Sequence, residues 1–123
     1  MNKEQIILTL EEIQVQIKHL HWQTKSIAEH KAYGKIYDSL TDSIDLFVEI
    51  CMGKHGRPDF TGGYQLTGKD ISETDVDEFL QRVCEFLISF SDVYDPQKDS
   101  DLLNIRDEIL GEFNKLKYLL TLS

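Results

Sequence analysis

A chain of 123 residues is the size of one domain, here spanning 1–123, and can bury about two thirds of the surface that its unfolded form exposes. Hydrophobic content of 41% beside 28% charged residues argues against wholesale disorder. The net charge of −9 argues against a broad polyanion-binding surface, which neutralises phosphates with clustered Lys and Arg, so direct DNA binding is disfavoured.

The first predicted helix carries Ile6, Leu10, Ile13, Ile17 and Leu20, a 4-3-4-3 spacing that lays one apolar stripe along it. Glu4, Glu11 and Glu12 crowd the same short apolar run, which a secretory leader would not tolerate. The second helix follows from Ile36, Tyr37, Leu40, Ile44, Phe47, Val48 and Cys51, and is expected to end near Gly53. Residues 53–72 hold five of the seven glycines and read as a loop. About 20 extended residues reach some 65 Å, more than the ~30 Å length of a 20-residue helix, so the loop can cross a bundle end to end.

The third helix is expected from about Asp75, capped by Thr74 or Ser72, with Val76, Phe79, Leu80, Val83, Leu87 and Phe90 facing inward and Asp95-Pro96 as its stop. The fourth is capped by Ser100 or Asp99 and carries Leu102, Ile105, Ile109, Phe113, Leu116 and Leu120. Short first and last connections with one long crossover predict an all-α, ferritin-like four-helix bundle. A plain bundle with a long insertion is the alternative. Nothing approaches the ~20 apolar residues that span a bilayer. Cys51 and Cys84 sit in apolar helical patterns without a CxxC pair and read as reduced core residues, so a cytoplasmic location and no membrane contact are expected.

Chemistry concentrates in HLHWQTKSIAEH, residues 19–30, which holds three of the four histidines. On one unbroken helix, His21 and His30 would be separated by ~900° of rotation and ~13.5 Å of rise, on opposite sides. Ser26 followed by Glu29 matches a capping box that starts a new helix at about Ile27, so an antiparallel hairpin can bring the two rings together. Downstream, Asp38, Asp42, Asp45 and Glu49 recur at 4-3-4 and form one column opposite the apolar arc of the second helix. A solvated face is the plain reading of that column. Against it, like charges at these spacings repel by a few tenths of a kcal/mol per pair, and no Lys or Arg is interleaved. Trp22 is read as interface or core packing, His19 as a surface residue, and His55 as part of the glycine-rich turn.

A conventional di-iron bundle needs Glu-x-x-His motifs on two helices, and no histidine follows His55, so any metal centre must come from the first two helices. LHWQTK, His30 and LTDSIDLFVEI resemble the Dps family, the mini-ferritins. The resemblance implies that His21 and His30 of one copy face Asp45 and Glu49 of a twofold mate, with iron between them and the acidic face of the second helix as a homodimer interface. The separations of His30 from Asp45 and Glu49, 15 and 19 residues, agree with that family. Departures are a shorter gap between the histidines, Gly34 where members carry a carboxylate one turn after the second histidine, and no Lys-rich tail. In this the chain is similar to trimmed relatives of the kind that tailed phages encode. The functions expected are ferrous iron binding, with oxidation and storage by a homo-oligomer, or else a non-catalytic bundle acting as a structural or interaction module.

Overall fold

The computed structural model describes residues 1–123 and contains four α-helices: α1 (Lys3–Gln23), α2 (Ile27–His55), α3 (Val76–Ile88) and α4 (Ser100–Leu120). Two 3₁₀ turns, Ile71–Glu73 and Ser89–Asp92, precede and follow α3. α1 starts at a reciprocal cap that the stripe from Ile6 does not reveal: the Asn2 side chain accepts from the Gln5 amide, and the Gln5 side chain accepts from the Asn2 amide. It stops where Thr24 turns extended, and Ser26 restarts the chain as α2 by accepting from the Glu29 amide at 3.2 Å. The break expected at Ser26 is therefore present.

Three helix boundaries differ from expectation. α2 continues through Gly53 to His55, and Gly56, with φ of 84°, is the residue that ends it. The added turn is held by the start of α4 and the residues just before it: the Lys54 ammonium lies 3.0 Å from Asp101 and 3.5 Å from Asp99, and donates to the Lys98 carbonyl at 2.6 Å. α3 is capped by Asp75, which accepts from the Glu78 amide, rather than by Thr74 or Ser72. Those two serve the preceding turn, where the Ser72 amide donates to the Asp70 carboxylate and the Thr74 hydroxyl to the Asp70 carbonyl. The donors from Ser72 and Gln23 hold the Asp70 carboxyl below the usual range. α3 also stops as an α-helix at Ile88, short of Phe90.

Buried Arg106 of α4 accounts for that last ending. Its Nη1 donates to the Leu87 carbonyl at 2.9 Å and to the Ser91 hydroxyl at 3.1 Å, while Nε pairs with Asp107 at 2.7 Å. A cation at a helix C-terminus satisfies carbonyls that have no intrahelical partner. Asp99 begins α4 without bonding its amides; its carboxylate instead accepts from the Asp95 amide and faces Lys54 and His55.

The long connection runs along the whole of α1. Glu4 accepts from the Asp59 amide, Glu12 from Thr67, Gln16 from Lys69, and Gln23 from Ile71, while the Gln16 amide nitrogen donates back to the Lys69 carbonyl. Four polar side chains thus meet loop backbone that would otherwise seek water. The crossover carries the chain from the foot of α2 back to the top of the molecule, so α2 and α3 run in the same direction. α1 packs on α2, α2 on α4, and α4 on α3.

One apolar cluster joins all four helices, with Phe47, Phe90 and Phe113 fully buried at its centre. Cys51 and Cys84 are free and buried, as expected. Tyr33 is fully buried with no protein partner for its hydroxyl; burial first, then the charges of Glu29 and Asp77, pushes its pKa up to about 12. The phenol therefore stays neutral in the core. No helix is long and apolar enough to cross a membrane.

Candidate metal-binding site

His21 lies on the last turn of α1, and His30 on the first turn of α2. The hairpin brings their rings into a stack with centroids 3.9 Å apart and planes 17° from parallel. Each ring is tied to the other residue's main chain. His21 Nδ1–H donates to the His30 carbonyl at 2.7 Å, and His30 Nδ1–H donates to the His21 carbonyl at 2.8 Å. A carbonyl oxygen can only accept, so both Nδ1 atoms must carry the proton. In the neutral rings, both Nε2 atoms then hold free lone pairs. A ring fixed through one nitrogen to a carbonyl is how metal-ligating imidazoles are held in tautomer and direction. His30 is exposed and His21 half-buried, so the pair is within reach of solvent.

Asp38, Asp42, Asp45 and Glu49 are all exposed on α2, and none takes part in an ion pair. Asp42 and Asp45 line a groove of about 380 Å³ between α1 and α2, together with Glu11, whose pKa burial raises. At ~1.5 Å per helical residue, Asp45 and Glu49 lie roughly 22 and 28 Å along α2 from His30. One copy of the chain therefore joins the two histidines and leaves the two acids distant from them. No group of three or more His, Cys, Asp or Glu side chains that could hold a metal ion forms within the chain.

Around the pair, Trp22 is 61% exposed, which removes it from the core and leaves its ring open to an interface. The Lys18 ammonium lies 5.2 Å from its ring centre and 4.4 Å from that of Tyr37, while His19, exposed as expected, meets the Trp22 ring edge-on at 5.4 Å. His55 also departs from its sequence reading. It belongs to the last turn of α2, 3.7 Å from Asp99, rather than to the loop. The reciprocal carbonyl bonds were not legible in the sequence, because they depend on how the two chain directions meet at the corner.

These features define a class of chain: four α-helices, a first hairpin whose corner carries two oriented imidazoles, and an outer face of unpaired acids. The family model described as "Family of unknown function (DUF5856)" matches residues 21–120, and the chain belongs to that family. All four candidate ligands fall inside the matched span. It is also similar to a protein of Enterobacteria phage T4, "Uncharacterized 14.6 kDa protein in mobD-ri intergenic region", at 36% identity over 104 residues, covering 83% of this chain and 74% of that protein. No solved structure matches the chain.

Proposed function

We propose that the protein is a ferritin-like, Dps-like iron binder in which His21 and His30 of one copy and Asp45 and Glu49 of a second copy form an intersubunit site. The observation that carries this reading is the reciprocal pair of Nδ1–carbonyl bonds, which ties each ring down and leaves both Nε2 lone pairs free. The donor set suits the ion. Ferrous iron accepts imidazole and carboxylate together, and two neutral rings need an anionic complement of the kind that the outer face of α2 displays. Ferrous iron is the substrate: each ion gives one electron to oxygen or peroxide, and the ferric product is kept if the copies close into a shell. The unpaired acids raise the local concentration of cations. In this reading the acidic column of α2 is also the homodimer face.

A non-catalytic module for structure or interaction is the second reading. It is favoured by the exposure of Trp22 and of Ile27 (74%) at the hairpin corner. Metal content and mass, measured together on protein purified from iron-supplied cells, separate the two. Iron travelling with a multiple of the 14.3 kDa chain supports the first reading, and a metal-free monomer rejects it.

A further inference from the structure

Gly34 is the eighth residue of α2, inside the helix, where glycine is among the poorest helix formers. Its backbone does not need glycine: the positive-φ glycines are Gly56, Gly62 and Gly63. What it provides is space. A Cβ placed at Gly34 would lie 2.8 Å from His21 Cε1 and 3.0 Å from His21 Nδ1, with Nε2 next at 3.7 Å. Real Cβ atoms essentially never approach as closely as the first of these distances. Gly34 also stands one turn beyond His30, so α2 presents the His30 ring and then a bare stretch of helix on neighbouring positions.

We propose that Gly34 is a positioning residue of the metal site, its missing side chain allowing the His21 ring to lie against α2, stack on His30 and hold Nδ1–H on the His30 carbonyl. This inference rests on the reading of the two rings as ligands. Any side chain at 34 displaces the ring, because an imidazole can swing outward whereas the helix backbone cannot yield. The damage therefore falls on ligand direction and leaves the fold in place. A carboxylate at 34 is incompatible with the same packing, so the half-site supplied by one copy consists of two uncharged nitrogens. Such a half-site favours borderline transition ions such as Co²⁺ and Zn²⁺ over Mg²⁺ and Ca²⁺, which take oxygen ligands.

The test pairs imidazole ¹⁵N NMR with Co²⁺ titration followed by its visible absorption, on the full-length wild-type chain, Gly34→Ala, and His21→Ala with and without Gly34→Ala. Wild type is expected to show both rings as Nδ1–H tautomers. Gly34→Ala is expected to lose that state at His21 and to weaken Co²⁺ binding about 10- to 100-fold, the range seen when the support of a metal ligand is removed. Far-UV circular dichroism is expected to be unchanged. In the His21→Ala background, Gly34→Ala is expected to raise the melting temperature more than it does in wild type, since only wild type has a ring to displace. Unchanged tautomers and Co²⁺ affinity in Gly34→Ala overturn the role given to Gly34 alone. A wild type that shows both tautomers yet binds no Co²⁺ overturns the metal reading, and with it that role.

Discussion

His30→Ala is expected to weaken transition-metal binding by more than about 100-fold and to abolish oxidation of added ferrous iron, with little change in helical content. Loss of outer support alone costs a metal site about 10- to 100-fold, and removing a ligand costs more. The fold tolerates the change because the His30 ring is exposed and its main chain stays in place, so the His30 carbonyl still accepts from His21 Nδ1–H. What disappears is the proposed Nε2 ligand, the stacked face at 3.9 Å, and one hydrogen bond to the His21 carbonyl. That hydrogen bond is worth about 0.5–1.5 kcal/mol in stability. Isothermal titration with Co²⁺ and a ferrous oxidation assay read the first effect, and thermal melting the second. Unchanged metal affinity in His30→Ala would remove the imidazole pair from the site.

Arg106→Ala is expected to destabilise the protein by about 2–3 kcal/mol, a fall in melting temperature of roughly 10 °C for a domain of this size. The Arg106 side chain is 10% exposed and joins α4 to the end of α3 and the turn after it through Leu87 and Ser91. Its removal leaves carbonyls at the α3 C-terminus without a donor and opens space beside the core. Asp107 does not add to the loss, because its carboxylate is 62% exposed and recovers water. Arg106→Met retains much of the apolar stem and is expected to recover part of the loss. Full recovery by Met would show that the stem matters and the guanidinium does not.

Amphipathic spacing made the four helices legible, and Ser26 with Glu29 located the corner, because those signals are local. The ends that went wrong were decided by distant partners. Lys54 and His55 extend α2 beyond Gly53 toward carboxylates of α4, and Arg106 caps α3 from a helix later in the chain. The crossover length was readable, whereas the polar side chains of α1 that fasten it were not, since Gln16 and Gln23 look like ordinary surface residues until the loop lies over them. At the candidate site, the two histidines could be nominated from sequence and their tautomers could not. Gly34 stood out only as a departure from the Dps pattern; its close approach to His21 supplies the physical reason for a small residue there.

In the proposed site, ligands from two copies meet. A mixed dimer carrying His21→Ala and His30→Ala in one chain, and Asp45→Asn and Glu49→Gln in the other, tests it most directly by metal titration. In a twofold arrangement, one of the two sites then collects both intact histidines and both intact acids, while the other has neither. Each parent alone is expected to bind no metal, and the mixed dimer to regain half of the wild-type stoichiometry. A mixed dimer that stays empty, or an Asp45→Asn, Glu49→Gln parent that binds metal as wild type does, would contradict it.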